Sequence, residues 1–162
     1  MKVGAGSKIY ATAKIVEEAE ILIGKNCLIG DFAFIAARRL VMEDMSQISP
    51  YAIIGGGGEV RLGKCSVVGF GAILIPATDS PSGRYMCEVK PEEERDIIRG
   101  SITLGQGAYI GSGAVICVSK KCPNIEIGEN AVVGALSYID ESVAANTIIH
   151  SVMKYKTTTR RI

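Results

Sequence analysis

Tryptophan is absent from this sequence, histidine occurs once, at His150, and aromatic residues make up only 6% of the chain. A core built around large rings is therefore excluded, and Ile, Val, Leu and Ala must fill it. A zinc hydrase with three histidine ligands does not fit a chain with one His. No run of 18 apolar residues occurs, so no membrane-spanning helix and no membrane partner are expected. Met1 to Gly6 lacks the apolar core of a secretory leader, and a cytoplasmic location is expected. The formal net charge of +1 gives no electrostatic case for binding nucleic acid. The five cysteines (27, 65, 87, 117 and 122) form no CxxC pair and no regular disulfide-like spacing, so reduced thiols are expected.

Glycine is what the sequence has in excess: 19 of 162 residues, against about 7% in ordinary domains. Its placement is periodic. Aliphatic or Met anchors recur every sixth residue at Ile23, Ile29 and Ile35, at Met42, Ile48 and Ile54, and at Leu62, Val68 and Leu74. They resume at Leu104, Ile110 and Ile116, then at Ile127, Val133 and Ile139. Gly follows the anchor in nine of these fifteen hexads, as at Gly24, Gly63, Gly105 and Gly111. The fourth residue after the anchor is small in twelve, as at Cys27, Ala33, Ser66 and Ala108.

A period of six predicts one short strand and one corner per hexad. The anchor points inward, the small residue fits the crowded interior, and Gly suits a corner because it enters backbone conformations that other residues reach only at a cost. Three hexads close a triangular coil of about 18 residues, and coils stack by hydrogen bonding. Helix is excluded, since apolar spacing of three and four is missing and each internal Gly would weaken it by roughly 1 kcal/mol. The expected fold is all-β: a parallel β-helix, a triangular solenoid of hexapeptide repeats, forming one domain over residues 1–162.

Two segments depart from the repeat. Residues 75–103 are read as an extended loop carrying Pro76, Pro81, Pro91 and the run Glu92-Glu93-Glu94-Arg95-Asp96. Loops of that length are usually functional or disordered. Ser119 to Asn124 is read as a corner insertion. The repeat is expected to end after Ile139, with residues 142–162 forming a tail and short C-terminal cap that covers the solenoid's open edge. Gly55 to Gly58 is not a phosphate loop, because no Lys-Ser/Thr follows it.

The hexads, Ile-Gly-x-x-Ala-x in particular, resemble the left-handed β-helix acyltransferases over Ile9 to about Ile149. Left-handedness is implied by that resemblance alone. Asp31-Phe32, Gly55-Gly56-Gly57 and the stretch Ala77-Thr78-Asp79-Ser80-Pro81-Ser82-Gly83-Arg84-Tyr85 resemble the branch that acetylates sugar nucleotides of amino-dideoxyhexoses for surface polysaccharide. The resemblance implies acetyl-CoA as co-substrate, a sugar or sugar-nucleotide acceptor, no metal, and a homotrimer with the coenzyme between subunits. It places Ser112, Ala135 and Lys154 as coenzyme-binding residues. Members often carry a catalytic His near the long loop and a Gly-x-Pro-Ala-Lys ending; here those regions hold Asp79 and Ile149-His150-Ser151-Val152-Met153-Lys154.

Acyl transfer from a thioester needs a proton acceptor for the attacking group and a donor for the developing oxyanion. Asp79 is the candidate proton acceptor or amine-orienting carboxylate, and its alternative reading is a turn cap beside Pro81. Tyr85 and Glu88 are candidate substrate contacts. Cys87 has no basic partner in the sequence, which argues against a thiol nucleophile. The expected activity is thus a coenzyme-A-dependent acetyltransferase acting on an amino or hydroxyl group. The absent His leaves a second reading open, a non-enzymatic scaffold on the same solenoid.

Overall fold

The computed structural model describes residues 1–16 and 20–152. Among these, strands of two to four residues alternate with corners, and the only helical turn is a 3-10 segment, Glu92–Glu94. Every third strand stacks in parallel on the one before, giving three sheets of six, seven and six strands wrapped around one interior. Face one begins Lys2–Val3, Glu20–Ile23, Arg39–Met42 and continues through Glu59–Leu62, Ser101–Leu104 and Asn124–Ile127. Face two runs from Lys8–Ile9 to Ile148–Ile149, and face three from Lys14–Ile15 to Tyr138–Ile139. The expected solenoid is present, in about seven coils.

The anchors form continuous columns. On face two, Ile29, Ile48, Val68, Ile110 and Val133 lie in register on successive coils, all fully buried. Burying each such side chain contributes roughly 1.5–3 kcal/mol. The small fourth residues, such as Ala33, Ala52, Ser66, Ala72 and Ala114, are fully buried as well. Face one is longer than the hexad count predicts. Its strands alternate, so each points two residues inward: Leu40 with Met42, Val60 with Leu62, Ile102 with Leu104. Because Ile23 pairs with Met42 and Met42 with Leu62, a coil takes 19 or 20 residues rather than 18.

Glycine plays a different part from the one expected. None of the nine glycines that follow an anchor has a positive φ. Eight of them are required by crowding: a β-carbon on Gly69 would lie 2.4 Å from the Ile110 carbonyl oxygen, and one on Gly111 would lie 2.4 Å from the Ala135 nitrogen, whereas one on Gly55 would meet nothing nearer than 3.9 Å. The left-handed residue comes two positions later, third after the anchor, and there Gly71 and Gly113 share the role with Asn26, Cys65, Asn130 and Leu136.

The excursion is a hairpin rather than an irregular loop, and it is shorter than residues 75–103. Ile75 still pairs with Cys117 in face three, while Ser101–Leu104 lies between Glu59–Leu62 and Asn124–Ile127 in face one. The hexad count starts again at Leu104 and misses Ile102, the inward residue two before it. Between them, Ala77–Asp79 pairs antiparallel with Ile97–Arg99. The Gly55–Gly58 run is the corner beneath this hairpin: a β-carbon on Gly56 would lie 1.8 Å from the Ala77 carbonyl oxygen, and one on Gly58 would lie 2.3 Å from that of Pro76. The repeat also continues past Ile139. Val143 bridges to Ile127, and Ile148–Ile149 pairs with Val132–Val133, so residues 142–149 begin another coil instead of a cap. A cap formed by the last residues falls outside the described residues from 153 onward.

The three outer surfaces differ. Face one is charged, with Arg39 paired to Glu20 at 3.4 Å, Arg38 to Glu59 at 2.5 Å, and Arg61 to Glu43. Such exposed pairs contribute at most about 1 kcal/mol each. Face three carries Phe34, Ile53, Ile73, Val115 and Tyr138 outward in one column. The corner joining faces two and three exposes Phe32, Tyr51, Phe70 and Leu136, with the Phe32 and Tyr51 rings stacked at 5.1 Å.

Gly69→Ala and Gly71→Ala separate the two glycine roles. Gly69→Ala sets a β-carbon against the Ile110 carbonyl oxygen of the next coil and is expected to destabilise by about 1–3 kcal/mol or more. Gly71→Ala meets no atom within 4 Å and has only its φ of +60° to satisfy, which costs about 1 kcal/mol. Gly71→Asn should be nearly neutral. Urea midpoints of the three variants check the order.

Candidate functional site

The hairpin leans over face three and encloses a cleft of about 490 Å³. Its floor is apolar, formed by Ile53, Ile73 and Ile75 of face three, with Met86 and Ile97 from the hairpin. Its polar groups are Thr78, Asp79, Glu88 and Arg95. Two of the residues expected from sequence, Asp79 and Glu88, are thus brought together. Tyr85 is not in the lining; it sits on the hairpin between Arg84, 5.1 Å from its ring centre, and Lys90, 4.7 Å away.

Asp79 is not a free carboxylate. Arg95 donates to it twice, Nε to Oδ1 at 3.0 Å and Nη2 to Oδ2 at 2.9 Å. The two side chains are only 9% and 11% exposed. This two-pronged geometry is the strong form of the pair. The Asp79 hydrogen bond, with the nearby charges of Asp79, Glu88 and Glu92, raises the Arg95 pKa further and outweighs its desolvation. Arg95 is therefore a permanent cation in the cleft. Glu88 is exposed and has no hydrogen-bond partner among the described residues. The Pro81 turn-cap reading of Asp79 is replaced by this cross-strand pair.

Sequence reasoning missed Arg95 because it lies in the run Glu92 to Asp96, which reads as a solvated face. Its four acidic neighbours are indeed exposed, and Arg95 alone turns inward. The ion pair, which joins residues 16 apart across the hairpin, has no signature in local spacing. Lys120 was missed for the same reason. The corner insertion Ser119 to Asn124 carries it to the hairpin, where it donates to Asp96 at 2.5 Å and to Ser82 at 3.4 Å. The buried Ser80 completes the brace, with its hydroxyl 2.8 Å from that of Ser82.

The expected coenzyme residues lie elsewhere on face three. Ser112 and Ala135 occupy successive coils of the seam between faces two and three, both exposed, and the Leu136 N–H donates to the Ser112 carbonyl at 3.0 Å. In one protomer they sit across face three from Asp79. Lys154 lies outside the described residues. His150 stands beside Gly134 on the last coil, remote in register from the cleft. No group of three or more His, Cys, Asp or Glu side chains that could hold a metal ion occurs among the described residues. A second, polar hollow of about 280 Å³ is lined by Arg38, Glu59, Arg99, Ser101 and Asn124. Its two arginines already pair with Glu59 and Glu92.

No family model matches the chain. It is similar to dTDP-4-amino-4,6-dideoxy-D-glucose acyltransferase of Escherichia coli, 29% identical over 149 residues that cover 90% of this chain and 75% of that one. Its fold matches AntD, an N-acyltransferase from Bacillus cereus, at a TM-score of 0.84 and 27% identity, over 99% of this chain. That protein was solved with dTDP and 3-hydroxybutyryl-CoA, covering 83% of its chain, and a single-residue variant with dTDP-4-amino-4,6-dideoxyglucose and coenzyme A, covering 84%. A hexapeptide-repeat acetyltransferase of Vibrio cholerae shares the fold at a TM-score of 0.52 and 19% identity, over 91% of this chain and 67% of that one. The left-handed β-helix expected from the hexads is thus the fold of this chain.

The Lys120 brace carries a pH signature. The Lys120 hydrogen bond holds the Asp96 carboxyl below its usual range against the opposing effect of desolvation, with lesser help from a Ser80 hydrogen bond and the Lys120 charge. A depressed carboxyl stabilises the folded state fully above its unfolded pKa, and this is lost as pH falls through the folded value. Amide-exchange protection of Ser80 and Gly83 should therefore fall below about pH 4. Lys120→Met should start with lower protection at neutral pH and lose little more on acidification.

Proposed function

We propose that this chain, a left-handed β-helix of the hexapeptide-repeat acyltransferase superfamily, transfers an acyl group from coenzyme A to the amine of a dTDP-linked amino-dideoxy sugar. The observation that carries this reading is the cleft beneath the hairpin. Its isoleucine and methionine floor suits the methyl edge of a 6-deoxy sugar, and its carboxylates suit an amine. Near full-length similarity to two acyltransferases named for, or solved with, such a sugar nucleotide supports it.

In this reading the amine nitrogen attacks the thioester carbonyl directly. The C–N bond forms, the C–S bond breaks, and the amine proton ends on the departing coenzyme sulfur. Alignment in a shared groove supplies much of the rate. A covalent enzyme intermediate is not needed, and Cys87 lies exposed on the hairpin outside the cleft lining. Asp79, fixed by Arg95, orients the amine through its remaining lone pairs, and Tyr85 contacts the acceptor from the hairpin's outer side. Acetyl is the proposed donor group, and surface polysaccharide synthesis the proposed setting. The five cysteines are all free, which favours a reducing, cytoplasmic compartment.

A homotrimer completes the coenzyme groove. Apolar side chains on the seam between faces two and three favour burial against neighbouring copies, because patches of this kind mark interaction surfaces. Ser112 and Ala135 lie on that seam with no bulk to obstruct a coenzyme arm. Lys154 is proposed as a phosphate contact.

Coenzyme A at 100 times its dissociation constant should raise the melting temperature by about 5–10 °C. Thiol release should follow when acetyl-CoA and dTDP-4-amino-4,6-dideoxyglucose are supplied together. No shift at millimolar coenzyme, with no thiol release, returns the scaffold reading. Sedimentation should give three times the protomer mass of 17.1 kDa, and Leu136→Glu should shift it toward one.

A further inference from the structure

The cleft separates its two carboxylates by what holds them. Asp79 has both oxygens engaged by Arg95 and is nearly buried. Both Asp79 oxygens are thus committed to fastening the hairpin, with only their remaining lone pairs free for a bound amine. Glu88 lines the same cleft and is exposed, and Arg95, already paired with Asp79, is the only cation in the lining. The pair is neutral as a unit, so the negative charge left over in the cleft belongs to Glu88.

We infer that Glu88 is the proton acceptor of acyl transfer, and that Arg95 is a positioning residue that fixes Asp79 and the hairpin around it. This rests on the acyl-transfer reading above. Attack by a neutral amine on the thioester gives a tetrahedral species with a positively charged nitrogen. Its N–H is far more acidic than that of the ground-state ammonium, so an ordinary carboxylate can take it. Glu88 accepts that proton as the C–S bond breaks and passes it to the coenzyme thiolate, so the products are amide and free thiol. No oxidant, metal or further reactant is required. The single His of the chain, far from the cleft, is then not needed for this step. Asp79 serves the same reaction by geometry, as the fixed end of an ion pair that ties the two hairpin strands together.

The experiment compares Glu88→Gln, Glu88→Ala and Asp79→Asn with the wild type, using acetyl-CoA and dTDP-4-amino-4,6-dideoxyglucose. Glu88→Gln should lower kcat by about 100-fold or more, keep KM within threefold and leave the melting temperature unchanged. Added formate should restore part of the rate to Glu88→Ala. Asp79→Asn should lower the melting temperature and raise KM. A Glu88→Gln enzyme within threefold of wild-type kcat overturns the inference while leaving acyl transfer standing. So does an Asp79→Asn enzyme that loses kcat with KM and melting temperature intact. A wild type that transfers no acyl group to this acceptor overturns the acyl-transfer reading itself, and the Glu88 assignment with it.

Discussion

Neighbouring coils approach to hydrogen-bonding distance at their corners, and there the backbone of one leaves no room for a β-carbon on the next. This constraint orders the rest of the molecule. A β-carbon on Gly63 would meet the Leu104 carbonyl oxygen at 2.7 Å, and one on Gly105 would meet the Glu129 nitrogen at 2.6 Å. Strand spacing of about 4.8 Å is fixed by the hydrogen bonds themselves, so crowding at a corner cannot be relieved by sliding the coils apart. The sequence must answer it residue by residue. Where the position after the anchor is not glycine, as at Glu43 and Ser49, the same backbone hydrogen bonds form, to the Leu62 and Val68 carbonyls, and the Glu43 carboxylate also accepts from the Lys64 amide and from Arg61.

Once corners are close-packed, the strands between them are short, and their outward side chains play no part in closing the coil. The three surfaces can therefore diverge. Face one stacks Glu20, Arg39 and Glu59 outward in one column, followed by Ser101 and Asn124, which suits water. Face three spends its outward positions on Phe34, Ile53, Ile73 and Val115, which suits a neighbour or a ligand. The hairpin leaves between face three and face one, at the level where four glycines follow Ile54. That placement sets an apolar floor under a polar canopy, the arrangement that gives the cleft its mixed character.

The solenoid was legible in the sequence because its periodicity is strict and its chemistry local: anchor, corner and small residue all lie within six positions. Two features were misread for definite reasons. The nine glycines were assigned to backbone freedom, yet the freedom is used two residues later, by Asn26, Cys65 and Leu136 among others. For all but Gly55, only the neighbouring coil, far along the chain, explains them. The anchor count, running from Ile23 to Ile139, leaves out Val3, Ile9 and Ile15, which keep the spacing of six, and Val143 and Ile149 of the last coil. The candidate site was half legible. Composition picked out the hairpin and its acids, whereas Arg95 and Lys120 depend on contacts across 16 and 24 residues.

That division explains why the first choice of catalytic carboxylate needed refinement. A hairpin lifted off a solenoid buries little: of its paired strands, only Ala77 and Ile98 are buried. Polar fastening must replace the missing core, and the least exposed charges fasten best, because water competes with them least. Asp79 with Arg95 meets that need at the outer end of the paired strands, and Asp96 with Lys120 meets it from the corner insertion. Fastening and openness therefore fall on different side chains within one cleft: Asp79 has both oxygens engaged by Arg95, whereas Glu88, the carboxylate proposed for the chemistry, is the one that the fold does not use.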